Sequence, residues 1–216
     1  MTSSDVPSGP RPRVSFDPGS MATRAFYRIV NSVVVPRPIA WVCSRSADGL
    51  PNLAPHSFFT VACVDPPVVQ FTSVGRKDSL NNVEATGDFT VNLAPEELFE
   101  QINLTATDFP PHVSEADYCG VRLEPSEVVG SLRVADSPVA IECELHSTLR
   151  LGDSTVVFGR VVHISAWESV VRDGRPRIEH LRPLARSSTT RCRRVGRAGA
   201  ASRSAAVRHA RRSPRR

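Results

Sequence analysis

The strongest constraint on this 216-residue chain is a series of short, apolar, β-branched runs separated by turn residues. Val139-Ala140-Ile141-Glu142-Cys143-Glu144-Leu145-His146 alternates apolar and polar, the period of a half-buried strand. Val156 to Ile164 alternates less cleanly, and Gly152-Asp153 joins the two as a hairpin. Val33 to Val35 and Ile39 to Cys43 read as a strand, with Pro36 and Pro38 putting its start at an edge or bulge. Asp48-Gly49 predicts a turn and Asn52 to Val61 the return strand. Val68 to Thr72 and Phe89 to Leu93 complete about six strands. Helices fall in the connections: Thr23 to Ser32, Asp78 to Thr86 with Asp78 as cap and Gly87 as stop, and Pro95 to Leu104. Residues 105–137 read as irregular. The pattern predicts a mainly β fold with helices, a small antiparallel barrel.

Charge is distributed unevenly. The total of 27 basic and 22 acidic residues gives +5. From Arg182 onward there are 12 arginines and no acid, so residues 1–181 hold 15 basic against 22 acidic groups and carry −7. A nucleic-acid role read from the net charge is therefore disfavoured. The tail could neutralise phosphates, but it has no aromatic residue for base stacking. No run of about 18 apolar residues predicts a membrane span, and no secretory start precedes Asp5. These features predict a cytoplasmic protein. Five widely spaced cysteines without a C-x-x-C pair predict buried thiols rather than a disulfide framework or a metal site.

Three segments could carry chemistry. In the first, Pro36-Arg37-Pro38-Ile39-Ala40-Trp41-Val42-Cys43-Ser44, a stiffly held arginine precedes a strand ending in small polar groups. The bland alternative is an edge strand with a surface arginine. In the second, Asn52-Leu53-Ala54-Pro55-His56-Ser57-Phe58, Pro55 interrupts the ladder and lets a flat ligand approach the main chain, unless it marks an ordinary bulge. In the third, Arg76-Lys77-Asp78-Ser79 sets two cations and a hydroxyl where a helix begins, which suits a phosphate or a solvated cap. Together they outline a ligand with a planar ring at one end and a phosphate at the other. The common hydrolase, zincin, Walker A and dinucleotide-binding motifs are absent.

At these residues the chain resembles the flavin reductase-like, FMN-binding split-barrel family, in the branch of flavoredoxin and the reductase components of two-component monooxygenases. The resemblance runs in order over about 16–186, through Phe16-Asp17-Pro18, Tyr27-Arg28, Val35 to Val42, Asp48 to Pro55, Ser57-Phe58-Phe59, Pro66-Pro67, Lys77-Asp78-Ser79, Phe89 to Leu93, Phe109-Pro110-Pro111, Ser137 to Ala140 and Gly159 to Val162.

The resemblance implies a six-stranded antiparallel Greek-key split barrel, a homodimer, and hydride transfer from NADH or NADPH to flavin, with a monooxygenase as a partner for the reduced flavin. An FMN-bound electron carrier is the alternative. The site it implies comprises Arg37, Trp41, Val42, Cys43, Ser44, Asn52, Ala54, Pro55, His56, Ser57 and Phe58 around the ring and ribityl chain. Arg76, Lys77 and Ser79 hold the phosphate, with Asp78 capping the helix. No side chain is assigned a catalytic or metal-binding role, since the reaction belongs to the flavin. Cys43 replaces a common serine or threonine, and His56 stands where an apolar residue is frequent.

The expected layout is a disordered lead-in over 1–20, a domain over 21–186 and a basic, disordered tail over 187–216. The resemblance stops where the tail begins. With 26 arginines to one lysine, the coding sequence reads as GC-rich, and the tail as the product of a shifted reading frame. Resequencing around the codon for Arg186 tests this.

Overall fold

The structure, a computed structural model, describes residues 11–107, 109–110 and 113–187, and the backbone alone of Cys192–Arg194. Most of the expected tail, and the first half of the expected lead-in, lie outside the described residues.

Seven strands form the main antiparallel sheet: β1 Ala40–Arg45, β2 Pro51–His56, β3 Phe59–Cys63, β4 Val68–Val74, β5 Asp88–Leu93, β6 Val139–Leu151 and β7 Ser154–Ala166. Their order across the sheet is β2-β1-β5-β6-β7-β4-β3. The seventh strand arises because the run expected as one return strand bends at Ser57-Phe58. Its first half pairs with β1 and its second with β4. The two ends of the sheet order are thus consecutive in the chain without pairing to each other. The β6–β7 hairpin is longer than its alternation suggests, 13 residues per strand, and its far end is exposed.

Strand β1 lies between β2 and β5, and both of its faces are buried, which is why it reads as an unbroken apolar run. Ala40 and Val42 face an inner cluster with Phe71, Phe89 and Val157, closed by Leu80 and Val83 of helix α2 (Asp78–Thr86). Trp41 and Cys43 face a second cluster with Leu53, Ile102 and Val134. Each large apolar side chain buried this way contributes about 1.5–3 kcal/mol. Gly159 is required here: a Cβ on it would stand 2.3 Å from Cζ of the fully buried Phe89.

Helix α1 (Thr23–Val33) takes up Val33, which sequence reading gives to a strand. Its apolar period continues through Phe26, Ile29, Val30 and Val33, and the helix ends at Val34, whose ψ of 81° is no longer helical. Arg37–Pro38 then pairs with Leu184–Arg186 in a separate small sheet. The segment read as one helix from Pro95 divides into a 3-10 turn, Glu96–Leu98, and α3 (Phe99–Leu104). The region expected to be irregular holds α4 (Glu115–Tyr118), N-capped by Ser114. Two carboxylates pin the loop beyond it. Glu142, fully buried, accepts the N–H groups of Glu127, Val128 and Val129 at 2.9, 2.7 and 3.2 Å. Asp88 accepts from the N–H and hydroxyl of Ser131 and pairs with Arg45 at 2.9 Å.

Candidate cofactor-binding site

The site is built on the open edge of β2. Leu53 donates its N–H to Glu115 Oε2 at 3.1 Å, so this position and those two away from it point their backbone groups away from β1. Pro55 is one of them. It pairs in register with Trp41, and its missing N–H falls on the outward side. The expectation that Pro55 interrupts the ladder is therefore corrected: the ladder is continuous, and proline removes a donor only from the outward edge.

Beyond that edge lies a cavity of about 470 Å³. Asn52, Ala54, Pro55, His56, Ser57 and Phe58 line it on the β2 side. Arg76, Lys77, Asp78 and Ser79 line it at the start of α2. Ten of the residues singled out from sequence thus meet in one wall. Helix α2 begins as its sequence suggests, except that Lys77 is the N-cap and Asp78 is already the first helical residue, with no side-chain capping bond. The free N–H groups of this end and the two cations favour an anion. Arg76 is anchored to Asn81 at 3.0 Å and to Glu84 at 2.8 Å.

The other five candidates stand behind the wall. Trp41, Val42 and Cys43 are fully buried core residues. Trp41 reaches the cavity indirectly, donating its indole N–H to Thr105 Oγ1 at 3.0 Å. Burial pushes the Cys43 thiol up to about 12, with Glu115 adding to the shift. Ser44 Oγ accepts from Asn82 Nδ2 at 3.3 Å and Asn52 Nδ2 at 3.5 Å. Arg37 clamps the end of α1, donating to the carbonyls of Asn31 at 2.8 Å and Val34 at 2.6 Å, where a cation complements the helix dipole. Its guanidinium also sits 5.9 Å over the ring of Phe58, which meets Tyr27 edge-on. The arginine thus fixes the bend that bounds the site.

His56 is buried in this wall, its ring 4.6 Å from that of Phe71. Burial lowers its pKa to about 4; the Thr72 backbone opposes the shift and Lys77 adds to it. Its Nε2 lies 3.1 Å from Ser79 Oγ, which also accepts from Asn52 Nδ2 at 3.1 Å.

Sequence reading missed the opposite wall. Tyr27 comes from α1, Thr105, Thr107 and Phe109 from the segment after α3, Glu115 from α4 and Arg186 from the short strand Leu184–Arg186. Burial pushes the Glu115 carboxyl up, against the lowering effect of the Leu53 N–H, and Asp78 adds to the rise. Tyr27 and Phe109 stand in blocks of the family resemblance and Glu115 follows the capping Ser114; nothing local marks Thr105 or Thr107.

Residues 32–179 match the model of the flavin reductase like domain. The chain belongs to this family. An uncharacterized protein of Aquifex aeolicus (strain VF5) is 36% identical over 166 residues, spanning 74% of this chain and 85% of its own. Among solved structures, nitrilotriacetate monooxygenase component B of Bacillus cereus superposes with a TM-score of 0.84 at 27% identity, covering 89% of this chain and all of its own. The 2-nitrobenzoate 2-nitroreductase of Pseudomonas fluorescens gives 0.80 at 29% identity, over 88% and 96% of the two chains. The cavity lies between a helix start, which favours an anion, and an edge strand of the sheet, and its volume lies within the range of small-molecule sites.

Proposed function

We propose that this protein is an FMN-dependent oxidoreductase that transfers hydride from NADH or NADPH to flavin. The unit we assign to it spans 21–186, and the continuity of segment 51–63 along the chain supports counting its two strands as one, which gives the six-stranded Greek-key barrel we propose. The carrying observation is the meeting of the start of α2 with the open edge of β2 in one cavity. Arg76, Lys77 and the N-terminal amides of α2 would hold the phosphate. The outward backbone groups of β2 would bond the polar edge of the ring, and Tyr27, Phe58 and Phe109 supply apolar surface for its body. Trp41, Val42, Cys43, Ser44 and Arg37 hold this wall in place from behind.

Bound FMN would supply the redox chemistry, accepting hydride from the nicotinamide. The chain's part is to orient the ring and leave one face accessible. His56, held neutral, and Cys43, held protonated, are poor candidates for proton exchange near neutral pH. The likeness to a monooxygenase component B supports a partner oxygenase as the user of reduced flavin. The exposed Val30, Val33 and Val34 beside Tyr27 support a second copy packing next to the cavity. Unpaired Cys43, Cys63, Cys119 and Cys143 support a reducing, cytoplasmic setting.

Anaerobic addition of NADH or NADPH to FMN-loaded protein tests the activity. Bleaching of the flavin band at catalytic rates is expected. Loaded protein that neither nicotinamide bleaches would overturn the reductase reading in favour of an electron carrier.

A further inference from the structure

We propose that Glu115 is a specificity-determining residue of the cavity: its carboxylate accepts hydroxyls of the polyol chain that links the ligand's ring to its phosphate. This rests on the functional reading above, which puts the phosphate of a flavin at the start of α2.

The outward edge of β2 is short of donors. Pro51, Leu53 and Pro55 share that edge by the alternation of an antiparallel strand. The two prolines have no N–H. The third N–H, that of Leu53, is given to Glu115 Oε2 at 3.1 Å. Such an edge resists pairing with a foreign strand. To a ligand it offers acceptors, the Pro55 carbonyl and the Glu115 carboxylate, both from residues of the cavity wall. A carboxylate has about four lone-pair sites, so the bond from Leu53 leaves it able to accept more.

Position selects the part of the ligand that meets it. Leu53 follows Asn52, whose Nδ2 reaches Ser79 Oγ at 3.1 Å in the first turn of α2. Glu115 therefore stands one residue along β2 from the phosphate end, near enough for Asp78 to act on its carboxyl. The ring lies the other way, past Pro55, where Phe58 and Tyr27 meet edge-on at the bend. Between an anion and a ring the ligand presents its linker. A carboxylate at this point repels the phosphate, and it holds a linker that carries O–H donors through charge-assisted bonds. A polyol chain carries such donors and an alkyl chain does not. Burial raises the Glu115 carboxyl, its own N–H and that of Leu53 oppose the rise, and Asp78 adds to it. Measurement at about pH 8 favours the ionised form.

The test compares dissociation constants for FMN and for an analogue whose ribityl chain is replaced by a hydroxyl-free pentyl chain bearing the same phosphate. Wild type should bind FMN more tightly by about tenfold or more. Glu115→Gln keeps the size and an acceptor for the Leu53 N–H but loses the charge. It should narrow the ratio to about threefold or less, with the analogue bound at least as tightly as by wild type because repulsion of its phosphate is relieved. Glu115→Ala removes the acceptor and should narrow the ratio likewise, so misfolding of one variant leaves the other to decide. Equal affinity of wild type for the two ligands, or a ratio that both variants leave unchanged, would overturn this proposal alone. Equal weakening of both ligands in Glu115→Gln would reduce the residue to a structural clip between α4 and β2 and overturn it too. Absence of FMN binding to wild type would overturn the functional reading and this proposal with it.

Discussion

Trp41 offers the sharpest test of how the core supports the site. It is wholly buried, and its indole N–H bonds Thr105 Oγ1 at 3.0 Å, while Thr105 Oγ1 also donates to the Ile102 carbonyl at 3.2 Å. Trp41→Phe removes one neutral hydrogen bond, worth about 1 kcal/mol, and leaves a partial cavity; together about 2–3 kcal/mol. For a domain of this size that lowers Tm by roughly 4–12 °C. Thr105→Val keeps the shape but strands a buried indole N–H, costing about 1–3 kcal/mol. The two changes share one bond, so the double variant should be more stable than additivity predicts, by about 1 kcal/mol. Urea unfolding of the four proteins measures this. FMN affinity should fall in both single variants, because Thr105 lines the cavity. Strictly additive unfolding energies, or full stability in Trp41→Phe, would refute the claim that Trp41 acts through Thr105.

Further expectations concern stability elsewhere. His56 has its pKa lowered to about 4 by burial, so the unfolded chain binds its proton more readily; stability should fall as pH drops from about 6.5 to about 4, by roughly 3 kcal/mol in all, and His56→Gln should flatten that limb in acid unfolding curves. Gly159→Ala should force the Phe89 ring aside at a cost of about 1–3 kcal/mol, read as a lower urea midpoint. Glu142→Gln leaves one acceptor oxygen for three backbone donors and should cost about 2–4 kcal/mol, with the loop at 127–129 becoming the first region to exchange its amide protons.

The residues that announce themselves in sequence do so because their chemistry is local. Arg76 to Ser79 read as an anion site because a helix start, two cations and a hydroxyl are adjacent in the chain, and the structure keeps them adjacent. The Asp48-Gly49 turn and the Gly87 stop are equally local, both glycines taking positive φ. What escaped depends on distant pairing. The bend at Ser57-Phe58 exists because its two halves find different neighbours, a fact absent from the run itself. Whether Trp41 lines the ligand or the core depends on which face of β1 meets which cluster. The role of Pro55 turned on which edge of β2 is open. Glu115 and Thr105 reach the cavity from segments far along the chain, with no periodicity to mark them.

Equilibrium titration with FMN and with riboflavin, followed by flavin fluorescence at neutral pH, tests the central claim most directly. The account predicts saturable FMN binding at one site per chain, with riboflavin weaker by about tenfold or more because it leaves the start of α2 without its anion. No saturable binding, or equal affinity for the two ligands, would contradict it.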